Sequence, residues 1–215
     1  MKKIIAFLLL FSCSFAFADY EYIIQPRSYW FATHYDIYSG DEYITTVEKD
    51  WFHLNTIWSL CNEKGEYANG TARLLSLGSL LNCKREIDVY DYHKNHFGYI
   101  QGEFFTSASG KFVFYDQYQH PYAVAFIDQG KSSVNIMDYH NQRVPIAIFR
   151  RTHVPGGDYY WNVKVVREDM IDQRSLYVFS AFITDACWPY NTQEGSTFWD
   201  TLNLILILDR LQQDD

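Results

Sequence analysis

Residues that could do chemistry are concentrated between positions 88 and 96, which contain Asp88, Asp91, His93 and His96. Carboxylate oxygens and imidazole nitrogens are ligands that divalent cations accept. Along a strand, Asp91 and His93 would share one face, Asp88 would point the opposite way, and His96 would lie in the following turn. The pattern predicts a metal site of Asp91, His93 and His96, although its spacing matches no standard zinc or calcium motif.

Motifs of other catalytic sites are absent from the sequence. It contains no G-x-S-x-G and no H-E-x-x-H, and neither Lys-Ser nor Lys-Thr follows the glycines at 98 and 102 to complete a phosphate loop. We therefore expect no catalytic residue and no cofactor. Seven histidines and 26 acidic residues leave one alternative open, an exported hydrolase whose site is assembled from scattered histidine and carboxylate side chains.

The first residues predict export. Lys2 and Lys3 precede an apolar run over 4–11, and Ala16 and Ala18 form an A-x-A-like cleavage site. The run is shorter than the roughly 20 residues that span a bilayer. We expect a bacterial signal peptide at 1–18 and a mature protein in the periplasm, at the cell surface or in the medium. The alternative is acylation at Cys13, which follows Leu-Phe-Ser and would give an envelope lipoprotein.

Charge and cysteine content narrow the choice of partners. Without the two N-terminal lysines, 16 basic residues stand against 26 acidic ones, a net charge of −10. Such a chain is a poor candidate for binding nucleic acid or anionic membranes.

Three cysteines remain after cleavage, so one disulfide can form in an oxidising compartment. Cys61 and Cys83 are the nearer pair, and free buried thiols are the alternative.

The body of the chain is a series of short β-rich runs separated by turn residues, which predicts a single domain over 19–215. Two runs flank Ser39-Gly40-Asp41 and predict a hairpin. Asn69-Gly70 predicts a turn, because this dipeptide favours tight turns. Later runs lie at 86–92, 97–105, 111–118, 121–128, 133–139, 144–151 and 158–166. Strands at this spacing favour a closed or sandwiched antiparallel sheet.

Two helices are predicted near the C-terminus. The first, at about 172–187, is apolar nearly all round and must therefore be buried, with Asp172 as its cap. The second, at about 197–212, follows a break that contains Pro189 and Gly195.

Several strand and turn stretches, together with the order of the elements, are typical of one known family. They are Tyr35-Asp36-Ile37-Tyr38, Arg73-Leu74-Leu75-Ser76-Leu77-Gly78, Ile87-Asp88-Val89-Tyr90-Asp91, Gly98-Tyr99-Ile100-Gln101-Gly102 and Lys111-Phe112-Val113-Phe114-Tyr115-Asp116. On these stretches the chain resembles the tubby C-terminal-like superfamily, which includes phospholipid scramblases and plant LURP-one-related proteins. The resemblance implies an antiparallel β-barrel wrapped around a central hydrophobic helix, with phospholipids or phosphoinositides as ligands. Clustered basic residues, a Pro-rich segment and a palmitoylated cysteine cluster are missing, so no binding residue is transferred.

We therefore expect a mostly β fold, with one helix inside the barrel and one extra C-terminal helix. An empty barrel would forfeit dispersion contacts, so an apolar segment must fill it. The residues predicted to do so are Leu176, Phe179, Phe182, Ile183 and Ala186, with Phe182 almost fully buried; the rival filling is 198–211. The predicted function is that of an exported, non-enzymatic binding or interaction protein, with a phospholipid or a protein as partner and no nucleic acid.

Overall fold

The computed structural model describes residues 20–29, 32–50, 56–72, 86–102, 110–128, 130–153 and 159–186. Within them, twelve strands form a closed antiparallel barrel, followed by a short 3-10 turn and one α-helix. The strands are β1 Tyr20–Tyr29, β2 Ala32–Ser39, β3 Glu42–Asp50, β4 Ile57–Asn62, β5 Gly65–Ala72, β6 Glu86–Asp91, β7 His96–Gly102, β8 Lys111–Asp116, β9 Pro121–Ile127, β10 Ser133–Asp138, β11 Pro145–His153 and β12 Tyr159–Val165. The 3-10 turn is Glu168–Met170, and helix α1 is Gln173–Ala186.

Each strand pairs with its neighbours in the chain, and β1 pairs with β12 to close the barrel. The closing register places Tyr22 opposite Val163 and Ile24 opposite Trp161. Closure gives every one of the described strands a partner on both sides over at least part of its length, which limits the edge on which another chain could add. The predicted mostly β fold, an antiparallel barrel with a helix at its C-terminal end, is confirmed.

Helix α1 lies inside the barrel. Residues opposite one another on paired strands share a face, and the face that carries Tyr22 and Val163 touches the helix, because Tyr22 bonds to Ser180. Phe179 packs against the rings of Phe112 and Phe149 on other strands. The helix therefore contacts inward-facing side chains on opposite parts of the barrel wall.

The helix side chains predicted to fill the barrel are buried as expected. The exposed fraction is 1% for Leu176, 0% for Phe179 and Ile183, and 3% for Phe182. The side chain of the fifth residue, Ala186, is not among those described. The predicted helix at 197–212 and the rival filling at 198–211 also lie outside the described residues. The described residues up to Thr184 belong to one compact unit.

The start of α1 is capped by Asp172, as the sequence predicts. Its carboxylate accepts hydrogen bonds from the backbone N–H of Arg174 at 2.9 Å and of Ser175 at 3.4 Å. The same carboxylate accepts hydrogen bonds from Nε and Nη2 of Arg174 at 3.0 and 2.6 Å. Desolvation raises the pKa of Asp172, but these bonds outweigh it and hold that pKa below its usual range. The cap thus fixes the point where the chain leaves β12 and enters the barrel.

One predicted turn is wrong. Asn69-Gly70 lies inside β5, where Gly70 pairs with Trp58 on one side and Val89 on the other. Gly70 faces the interior, and a Cβ atom there would collide with Cγ1 of Val178 on α1. Glycine is needed at this position for close approach of the helix rather than for a turn. The hairpin predicted at Ser39-Gly40-Asp41 is present, with Gly40 at φ +59°.

Candidate functional site

The residues predicted to bind a metal are divided between separate contacts. Asp91 ends β6, and its two carboxylate oxygens accept from the backbone and side-chain nitrogens of Asn95 at 2.7 and 2.8 Å. His93 is exposed in the turn that follows β6. His96 begins β7 instead of lying in the turn, and its Nε2 is 3.1 Å from Oδ1 of the buried Asp88.

This separation has a local cause. Desolvation raises the pKa of Asp91, but the hydrogen bonds from Asn95 outweigh it and lower that pKa, so the carboxylate is ionised and serves the turn. Across the described part of the chain, no three His, Cys, Asp or Glu side chains are grouped so that they could hold a metal ion. The structure therefore does not bring Asp91, His93 and His96 together. The hydrolase alternative gains no support from the described residues either.

Of the cysteines with a predicted role, only Cys61 is among the described residues. Cys61 lies on β4 with its thiol half-buried, and burial, together with the charges of Glu48 and Glu66, raises its pKa to about 11. A thiol with such a pKa stays protonated at neutral pH and is a weak nucleophile. Cys83 and Cys13 lie outside the described residues, so the disulfide and the lipid anchor stay predictions.

Polar side chains inside the barrel hold the helix in place. Ser180 donates its proton to the carbonyl of Leu176 at 2.7 Å, so the hydroxyl of Tyr22 is the donor in their shared 2.9 Å bond. Tyr159 donates to the carbonyl of Thr184 at 2.7 Å. Burial raises the pKa of Tyr22 far above its ordinary value, so its hydroxyl stays protonated. These hydroxyls satisfy buried polar groups and fix the rotation of α1.

The interior near the end of α1 is rich in hydrogen-bond donors. Arg151 faces inward beside Trp161, and its guanidinium lies 3.7 Å above the ring centre of Tyr159. Among the described residues, none supplies an acceptor for Nε and Nη2 of Arg151 or for the buried indole nitrogens of Trp58 and Trp161. This end of the interior therefore contains the guanidinium of Arg151, whereas the middle of the helix is held by hydroxyl groups.

The opposite mouth, where α1 begins, includes two hairpin turns that share a geometry. In the β6–β7 and β8–β9 turns, an aspartate at the end of the first strand caps the turn, and the residue three places on has a positive φ. These are Asp91 with Lys94 at +62°, and Asp116 with Gln119 at +68°. Asp138 caps the longer β10–β11 turn by accepting from the backbone N–H of His140 at 2.7 Å. The aspartates are thus explained by turn chemistry.

Each of these three turns also carries a tyrosine and a histidine whose rings are close together. Ring centres are 5.4 Å apart in the β6–β7 turn, 6.3 Å in the β8–β9 turn and 5.4 Å in the β10–β11 turn. Two of the tyrosines are among the most exposed large side chains described, Tyr92 at 69% and Tyr118 at 71%. We call this set the Tyr–His rim; its members are Tyr92, His93, Tyr118, His120, Tyr139 and His140.

The Tyr–His rim was not predicted from the sequence, although a signal for it exists. Asp-Tyr-His occurs at 91–93 and again at 138–140, and a looser Asp-x-Tyr-x-His occurs at 116–120. The similarity becomes meaningful only once the strand order places all three turns at one mouth. The rim is therefore the candidate functional site that the fold adds to the sequence.

Comparisons with known proteins do not assign the chain to a family. No model of a known protein family matches the chain, and no curated protein matches it significantly. The likeness to the tubby C-terminal-like superfamily stays a prediction that rests on the quoted stretches and on the expected layout.

Among the described helices, none is both long enough and apolar enough to cross a membrane.

Proposed function

We propose that the chain is an exported, non-catalytic binding protein that contacts its ligand through the outside of the barrel. The observation that supports this most is the occupied interior. Val178, Phe179 and Ile183 are each 0% exposed, and their neighbours on α1 bond to the barrel wall. Barrels that hold a ligand inside keep an interior wide enough for it. A ligand inside this barrel would have to displace the helix. A ligand is therefore expected to bind at the mouths or on the outer wall of the barrel.

Phospholipid is the ligand class that the family resemblance implies. The net charge of the whole chain is −8, and it becomes −10 without the two N-terminal lysines. A negative protein is repelled by anionic bilayers over about a Debye length, roughly 8 Å at physiological salt. Any binding to lipid should therefore favour zwitterionic headgroups over anionic ones.

Liposome flotation tests the phospholipid version of this proposal. We expect the protein to float with phosphatidylcholine vesicles, and to float no better when phosphatidylglycerol is added. High salt is the control, because it screens surface charge and should restore any binding that the anionic lipid has reduced. Absence of the protein from the floating fraction with both compositions would overturn phospholipid as the ligand.

A further inference from the structure

We infer that the Tyr–His rim is a docking surface for a neutral, β-linked polysaccharide. The inference rests on the proposed function only in placing the ligand outside the barrel. Turn chemistry accounts for Asp91, Asp116 and Asp138, whose oxygens accept backbone N–H groups. It does not account for the tyrosine and histidine rings, because these turns need only the aspartate and a residue that tolerates positive φ. Two of these turns carry a strongly exposed tyrosine ring, Tyr92 and Tyr118, and each of the three carries an exposed histidine ring. Exposed rings that recur in this way indicate a surface that meets a partner.

The spacing of the rim suits an extended polymer. The β6–β7, β8–β9 and β10–β11 turns are each two strands apart in the barrel. Neighbouring strands lie about 4.8 Å apart, so successive turns are separated by about 10 Å. This is on the order of the length of one disaccharide unit in an extended β-linked chain. Three ring pairs along an arc would therefore meet every second sugar of one glycan.

The side chains of the rim fit the chemistry of a sugar. A pyranose ring presents C–H groups on its faces and hydroxyls at its edges, and tyrosine offers an apolar face with a polar tip. Exposed amides stand beside the rings in the same turns, among them Asn95, Gln117, Gln119 and Gln142. Amide groups both donate and accept, as sugar hydroxyls do.

Charge favours an uncharged ligand at this surface. The three turns hold three aspartates against Lys94 and Arg143, a net charge of −1 with histidine counted as neutral. The chain as a whole carries −8. The rim is thus close to neutral on an acidic protein. The negative charge of the chain disfavours a polyanionic partner, and the rim itself has no excess charge that would select a strongly basic one.

Isothermal titration calorimetry with cellohexaose and fully N-acetylated chitohexaose, both uncharged, tests the proposal. We expect the full-length protein to bind at least one of them, and to bind the matching disaccharide more weakly because it reaches only one turn. Tyr92→Ser and Tyr118→Ser should each weaken hexasaccharide binding about tenfold, which corresponds to about 1.4 kcal/mol. Both side chains are about 70% exposed, at 69% and 71%, so the variants should keep the melting temperature of the parent.

Tyr43→Ser is the matched control, because Tyr43 is also exposed, at 41%, but lies on β3 outside the rim. It should leave hexasaccharide binding unchanged. Failure of both hexasaccharides to bind would overturn the proposal. A Tyr92→Ser/Tyr118→Ser double variant that binds a hexasaccharide as tightly as the parent protein would also overturn it. Vesicle flotation that depends on the same two tyrosines, without oligosaccharide binding, would assign the rim to lipid. Oligosaccharide binding without flotation would exclude phospholipid and keep the rim proposal.

Discussion

Replacing Phe179 with alanine is expected to lower the free energy of unfolding by about 3–5 kcal/mol, the range for a large aromatic lost from a packed core. Phe179 is 0% exposed, and its ring contacts those of Phe112, Phe114, Phe149 and Phe182. Since a whole domain is stable by about 5–15 kcal/mol, the variant should be marginal. Denaturant titration followed by circular dichroism measures the difference.

The control for this substitution is Tyr118→Ala, which removes an aromatic ring that is 71% exposed. It should change stability by no more than about 0.5 kcal/mol, as surface substitutions do. Equal losses for the two variants would mean that Phe179 is not part of the barrel core.

Replacing Gly70 with alanine should destabilise the protein by about 1–3 kcal/mol, the usual cost of overpacking. A Cβ atom at Gly70 would overlap Cγ1 of Val178 and would lie 3.1 Å from Cγ2 of Ile87. Removing the valine methyls in Val178→Ala should create the missing space. The Gly70→Ala/Val178→Ala double variant is therefore expected to be more stable than the sum of the two single losses predicts.

A double-mutant cycle with equilibrium unfolding of all four proteins measures this coupling. Substitutions at distant sites add within about 0.3–0.5 kcal/mol, so the contact should give a clearly larger coupling energy. The matched control pairs Gly70→Ala with Ile136→Val on the inward face of β10, and additivity is expected there. Additive losses for Gly70 and Val178 would contradict their contact.

Much of the fold could be predicted because local patterns and tertiary packing agree. Runs rich in tyrosine, phenylalanine and valine form strands close to the predicted limits, and the apolar helix lies inside the barrel. Strand β1 is not among the predicted runs, and Pro26 within it is a residue type that argues against a paired strand. In the structure, β1 pairs with β12 only over Tyr20–Ile24, and Pro26 lies beyond it. The missing N–H of Pro26 therefore breaks no bond to β12.

The candidate site could be predicted far less well, because it depends on register. The metal residues are close in sequence, but β6 ends at Asp91, and His96 is turned towards Asp88 on the outer wall. The Tyr–His rim has the opposite character, since its turns are far apart in sequence and meet only through the strand order. Gly70 shows the same limit: its neighbour Asn69 suggests a turn, while the helix that requires a glycine there is more than 100 residues away.

The central claim, that α1 is the packed filling of the barrel, is tested most directly by native-state hydrogen exchange. Amides that open only when the whole protein unfolds exchange with the global free energy of unfolding, whereas loosely held segments exchange at lower values. The backbone amides of Val178, Phe179 and Ile183 should exchange at the global value obtained from denaturant titration, together with those of β11 and β12. Exchange of these helix amides at a distinctly lower free energy, while the strands stay protected, would contradict the account.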